Sequence, residues 1–105
     1  MVIVLLNILV PVKLTVVSGD LTVREGSNAK LFCNATGRPQ TNIVFTRVLE
    51  NGSIEVLQQG PTITWDFVNI RRTASGAYQC TADNGYTNDS KVFKVNVTCK
   101  YMFIT

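Results

Sequence analysis

Four asparagines in this chain stand in N-x-S/T triplets with no proline at the middle position: Asn34-Ala35-Thr36, Asn51-Gly52-Ser53, Asn88-Asp89-Ser90 and Asn96-Val97-Thr98. The chemistry on offer is acceptance of an N-linked glycan by the side-chain amide, a reaction of the secretory route. One such triplet arises by chance, but four in 105 residues point to a glycosylated chain. The other chemistry-bearing side chains are the thiols of Cys33, Cys80 and Cys99. None sits in a C-x-x-C pair, so they make no zinc set. The sequence has no histidine, which removes the commonest general base and the commonest metal ligand together. It has no G-x-S-x-G, no phosphate-cradling glycine loop and no H-E-x-x-H. These residues imply no catalytic site, no metal, no cofactor and no small-molecule substrate.

The elements that must position these groups read as strands. The length is that of one ordinary domain. Such a chain buries roughly 65% of its unfolded surface, enough for a core but with a thin margin. Apolar residues are 46% and charged residues 16%, a balance that excludes wholesale disorder. The net charge of +3 is scattered, with Arg71-Arg72 the only adjacent basic pair. A nucleic-acid surface needs a denser basic stripe, so nucleic acid is not an expected partner. From residue 12 onward the apolar period is two. "VKLTVV" and "LTVREG" are strand-like pieces parted by Ser18-Gly19-Asp20. In "NAKLFCNA", Ala29, Leu31 and Cys33 alternate with Lys30, Phe32 and Asn34. "NIVFTRV" follows a Gly37-Arg38-Pro39 break, and Asn51-Gly52 is a strong hairpin turn signal before "IEVL". Gln59-Gly60-Pro61 breaks the chain before "TITWDF", where Ile63, Trp65 and Phe67 share a face. "GAYQCTAD" and "KVFKVNV" are joined by a polar loop from Asn84 to Ser90, and Phe93, Val95 and Val97 share one face of the second. Many short strands with no helical stretch argue an all-β sandwich or barrel of antiparallel sheets.

Tyr78 lies two residues before Cys80, behind the Ser75-Gly76 turn, with Cys33 on an early inward-facing strand. That combination, over residues 12–98, resembles the immunoglobulin superfamily, and within it an intermediate-set domain. Such domains are found in neural adhesion molecules, hemicentin-like matrix proteins and receptor ectodomains. The family's run L-x-I-x-N-V-x-x-x-D-x-G-x-Y-x-C is similar to "WDFVNIRRTASGAYQC", matching at Asn69, Ile70, Gly76, Tyr78 and Cys80. "EGSNAKLFC" and "GRPQTNIVFTR" resemble the entries to the family's second and third strands. The resemblance implies a two-sheet antiparallel sandwich, an inter-sheet disulfide Cys33–Cys80, and a tyrosine corner in which the Tyr78 hydroxyl bonds nearby backbone.

The departures carry expectations of their own. The family's core tryptophan falls at Phe45, and a tryptophan stands at Trp65 where the family usually has leucine. Trp65 is then expected to fill volume that the smaller ring at Phe45 leaves, so Phe45, Trp65 and Tyr78 form the structural core. The family's aspartate before the corner is Ala74, and residues 53–64 lack the arginine that pairs with it. Both partners are missing together, which leaves no unpaired charge. Asn51 and Asn88 are expected in loops, Asn34 and Asn96 at outward strand positions.

Disulfide and glycans together place the domain outside the cell, secreted or on the cell surface. The resemblance implies a protein-recognition module and not an enzyme, whose protein partner is homophilic or heterophilic, with neighbouring immunoglobulin domains in the full-length protein. A structural spacer and the ectodomain of a receptor kinase are the alternatives. Candidate contact loops are 36–41 and 84–90, with Asn84, Gly85, Tyr86 and Thr87 foremost. Residues 1–11 are an apolar leader or a truncated N-terminal segment, and 99–105 the start of a linker or a truncated tail. Cys99 is left over, as a free thiol or a bond to another domain or chain.

Overall fold

The computed structural model describes residues 9–99. Eight strands run in chain order: β1 Val10–Val17, β2 Leu21–Arg24, β3 Ala29–Arg38, β4 Asn42–Val48, β5 Ile54–Gly60, β6 Ile63–Phe67, β7 Gly76–Asp83 and β8 Asn88–Thr98. A short 3-10 turn, Arg72–Ala74, precedes β7. The strands form two sheets, β1-β3-β6 and β2-β8-β7-β4-β5. All pairings are antiparallel except β2 with β8.

Alternation along each strand decides which side chains face the other sheet. From the small sheet these are Leu31, Cys33 and Ile63, and from the large sheet Ile43, Phe45, Tyr78, Cys80, Ala82, Phe93, Val95 and Val97; all are buried. Cys33 and Cys80 are bonded across the layers with Cα atoms 6.5 Å apart, closing a sequence separation of 47 residues. A closed loop of that size is worth about 4 kcal/mol in the chain-entropy account.

The first strand changes sheets where the sequence places Ser18-Gly19-Asp20. Ser18 Oγ accepts from Phe32 N at 2.8 Å, and Asp20 Oδ1 accepts from Lys94 N at 2.9 Å, so one side chain ends β1 on the small sheet and another starts β2 on the large one. At the other end of β1, Gly37 of β3 allows close approach. A Cβ there would lie 3.3 Å from Val10 O and from Val12 Cα. β1 begins at Val10, two residues before the expected domain start. Residues 1–8 of the expected leader and 100–105 of the expected tail lie outside the described residues.

Two boundaries differ from expectation. β5 continues through Gln59-Gly60, because Gln59 and Gly60 still pair with Val44 and Ile43 of β4. β8 begins at Asn88, so the loop expected over 84–90 is only four residues, 84–87. The cause is a ladder that runs to its end, with Asp83 opposite Asn88 and Ala82 opposite Asp89. Asp89 and Thr87 are further fixed by accepting from Leu14 N at 2.9 Å and Val12 N at 2.8 Å.

Candidate functional site

The four triplet asparagines are all exposed. Asn34 sits on β3 in the small sheet, and Asn51 at the tip of the β4–β5 hairpin, where its Oδ1 accepts from Ser53 N at 2.9 Å. Asn96 is on β8, opposite Thr22 of β2. Asn88, expected in a loop, is instead the first residue of β8 and faces outward. Asn88 and Asn96 thus share the outward side of one strand, opposite in parity to the buried Phe93, Val95 and Val97.

The expected contact loop divides into a buried half and an exposed half. Asn84 is only 9% exposed. Its Nδ2 donates to Val10 O at 3.2 Å and Arg38 O at 3.0 Å, and its Oδ1 accepts from Tyr86 N and Thr87 N, each at 2.9 Å. Asn84 therefore joins β1, β3 and the β7–β8 turn, and it has no free valence to offer a partner. Thr87 Oγ1 is spent on Val12 N. Gly85 has φ of 90°, in the left-handed region that favours glycine. Tyr86, 68% exposed, is the one large side chain that this loop presents to solvent. It borders a groove at this end of the sandwich with Leu9, Val10, Pro39 and Pro61.

At the other end, the Tyr78 hydroxyl donates to Ala74 O at 2.5 Å, the corner the sequence implies. The sequence expectation missed the arginine that supports it. Arg47 of β4 donates from Nη2 to Thr73 O at 2.6 Å and Ser75 O at 3.0 Å, and its guanidinium carbon lies 5.5 Å from the centre of the Tyr78 ring. The turn thus has a cation after all, reaching backbone carbonyls where the family pairs a carboxylate. The signal was present in parity: Ile43, Phe45 and Arg47 share one face of β4. Burial pushes the Tyr78 phenol above its ordinary range; the Arg47 charge pulls the other way and the more distant Glu55 adds to the rise.

The core triad is assembled around Phe45, which is fully buried. Its ring is stacked 5.7 Å from Tyr78 and 6.3 Å from Phe93, and tilted 5.6 Å from Trp65. Trp65 is half-buried and spans from Phe45 to Phe67. Trp65 Nε1 and Gln58 Oε1 are buried atoms without a hydrogen-bond partner among the described residues, and Gln58 stands opposite Phe45 on β5. Cys99 is exposed and unbonded, 3.9 Å from Arg72 Nη1.

A second apolar surface lies on the outer face of the five-stranded sheet. Opposite pairings place Val92, Gln79, Thr46 and Val56 in one row across β8, β7, β4 and β5. The next row runs Lys94, Ala77, Val48 and Ile54. Ile54 is 59% exposed, and Val56 and Val92 are each 53% exposed. Val44 and Val48 are half-buried between them. Across β7, β4 and β5 the outward set carries one charge, Asp83, at the loop end. Exposed branched aliphatics grouped on one sheet face are the kind of feature that marks an interaction site. The sequence held this signal too: if Phe93, Val95 and Val97 face inward, Val92 faces out, and the β5 piece "IEVL" has no polar alternate at 54 and 56. Among the described residues no cluster of ligating side chains forms a metal site, and no helix is long and apolar enough to cross a membrane.

A disulfide-tied two-sheet sandwich with a tyrosine corner defines an immunoglobulin domain, and comparison with known proteins agrees. The family profile described as "Immunoglobulin domain" matches residues 11–84, and the chain belongs to that family. Limbic system-associated membrane protein of Gallus gallus is 36% identical over 92 residues, covering 88% of this chain and 26% of that protein. Neuronal growth regulator 1 of Gallus gallus is 35% identical over 93 residues, covering 88% of this chain and 25% of that protein. The chain thus spans about a quarter of the length of these relatives. Among solved structures, a chain of the complex between Dpr2 Ig1-Ig2 and DIP-Theta Ig1-Ig3 superposes with a TM-score of 0.70 at 33% identity, over 87% of this chain and 33% of that one.

Proposed function

We propose that this domain is an extracellular recognition module that binds another immunoglobulin domain through the outer face of its five-stranded sheet. The observation that carries the reading is the exposed aliphatic group Ile54, Val56 and Val92, flanked by Val44 and Val48, on a face that is nearly free of charge. Burying a face of this kind releases roughly 25 cal/mol for each Å² of apolar surface. Charge-poor surfaces also meet no like-charge penalty when they pair with their own kind. The Dpr2–DIP-Theta complex, in which immunoglobulin-domain proteins bind one another, supports a partner of the same fold. Relatives named as a membrane protein and a neuronal growth regulator support a place at the cell surface. The disulfide and the four glycan triplets fit that compartment.

The test is self-association of the secreted chain by sedimentation. The wild type is expected to dimerise with concentration. Replacing Ile54 and Val56 by Asp should weaken the dimer at least tenfold with the melting temperature kept within a few degrees, since both side chains point to solvent. An unchanged association constant would remove the sheet face from the account.

A further inference from the structure

We propose that Asn51, at the tip of the β4–β5 hairpin, is the glycan acceptor that the folded domain keeps open, whereas Asn34, Asn88 and Asn96 accept a glycan only before the sheets close. The inference rests on the reading that the chain passes through the secretory route. In the transfer, Asn51 Nδ2 gives up a proton to the transferase and bonds the anomeric carbon of a lipid-linked oligosaccharide, whose diphosphate leaves with the electron pair. The transferase has to hold three residues at once: the asparagine, the residue after it and the hydroxyl two places on. Asn51, Gly52 and Ser53 are all exposed and lie beyond the last register pair of the hairpin, Val48 with Ile54. The tip is held from its base: Leu49 N donates to Ser53 O at 2.8 Å, and Gly52 N donates to Leu49 O at 2.9 Å. Gly52 has φ of 88°, in the left-handed region, and a Cβ placed on it would meet nothing within 4 Å. Ser53 Oγ donates to Asn51 Oδ1 at 2.6 Å, beside the bond from Ser53 N. This Asx turn brings the triplet's hydroxyl onto its own amide. Both bonds fall on the oxygen, and neither uses the nitrogen that takes the sugar.

The other three triplets are strand. Asn34, Ala35 and Thr36 stand opposite Val16, Leu14 and Lys13 of β1. Asn88, Asp89 and Ser90 stand opposite Asp83, Ala82 and Thr81 of β7. Asn96, Val97 and Thr98 stand opposite Thr22, Val23 and Arg24 of β2; Val97 is buried, and the Thr98 hydroxyl donates to Val23 O at 3.4 Å. These asparagines are exposed, but the backbone that follows each is released only when the strand peels from its neighbour. Opening of that kind is rare for strands packed on a core. Exposure of the asparagine is thus common to all four triplets, and a free backbone singles out Asn51.

The test uses the whole chain with its Cys33–Cys80 bond formed, made without glycans in a bacterial periplasm. Purified eukaryotic oligosaccharyltransferase and a lipid-linked chitobiose donor are added, and each triplet is read by glycopeptide mass. The same chain, reduced and alkylated, serves as the unfolded acceptor. Unfolded, it should be modified at all four triplets. Folded, it should keep the rate at Asn51 within about threefold and lose at least tenfold at Asn34, Asn88 and Asn96, because only rare openings release them. Transfer to all four in the folded chain at the unfolded rates would overturn the proposal. So would a folded Asn51 that stays bare while the unfolded one is modified, or an unfolded chain left bare at Asn51. A chain secreted from eukaryotic cells with every triplet bare, beside ready transfer to folded Asn51 in the purified assay, would count against the secretory reading while the geometry stood.

Discussion

At the scale of single residues, two rings and one hydroxyl do most to fix the inside of this domain. Phe45 contacts Tyr78, Phe93 and Trp65 at once and has no exposed surface. Trp65 of the opposite sheet lies against it, ring centres 5.6 Å apart. Phe45→Trp should therefore overpack the core by about 1–3 kcal/mol, a fall of several degrees in melting temperature by calorimetry; a rise would show that the two positions do not share volume. The Tyr78 hydroxyl makes a second residue-scale prediction. Its pKa is raised above 10.0 in the fold, chiefly by burial. The neutral phenol is the form the fold favours, so its contribution is complete below pH 10 and is lost as pH climbs through the folded value. Tyr78→Phe should cost about 1 kcal/mol at neutral pH through the lost bond to Ala74. That gap from wild type should shrink in denaturation experiments run above pH 10. A gap that stays constant would mean that Tyr78 does not titrate differently in the fold.

At the scale of elements, strand existence and facing were legible and strand ends were not. Period-two patterning and the Asn51-Gly52 turn stand where the structure has strands and a hairpin, and the Ser18-Gly19-Asp20 break falls where the chain also changes sheet. The missed boundaries share a cause: strand pairing runs further than local composition shows, and at β8 side chains fix it in place. Thr87 and Asp89 look like loop residues, yet they accept hydrogen bonds from β1 amides more than seventy residues away in sequence. Asn84 looks like an adaptable polar contact and is instead the hub between β1, β3 and the β7–β8 turn. Asn84→Ala should strip four hydrogen bonds from a buried site, costing about 2–3 kcal/mol. The loss should appear as faster amide exchange in Val12 and Leu14 of β1. Exchange unchanged from wild type would show that β1 is held without Asn84, by β3 and the bonds to Thr87 and Asp89.

At the scale of the whole molecule, the cysteines and the corner specified the sandwich, while the surface had to be seen in three dimensions. Ile54, Val56 and Val92 come from strands far apart in sequence, and they become one patch only through the register of β5, β4, β7 and β8. The same register puts Asn88 and Asn96 at the two ends of one stripe. A sandwich tied through its centre by Cys33–Cys80 presents that face as a rigid plane, which limits the ordering cost of binding. It leaves Tyr86 and the end groove as a separate surface, remote from the β4–β5 hairpin tip.

The central claim is that this plane is where the domain meets another of its kind. Methyl resonances of the secreted protein, followed by NMR from dilute to concentrated solution, test it most directly. The methyls of Ile54, Val56, Val44 and Val48 should shift with concentration, while those of the buried Leu31 and Ile63 and of Leu9 and Val10 at the far end stay fixed. Shifts confined to Leu9 and Val10, or a spectrum that never changes, would contradict it.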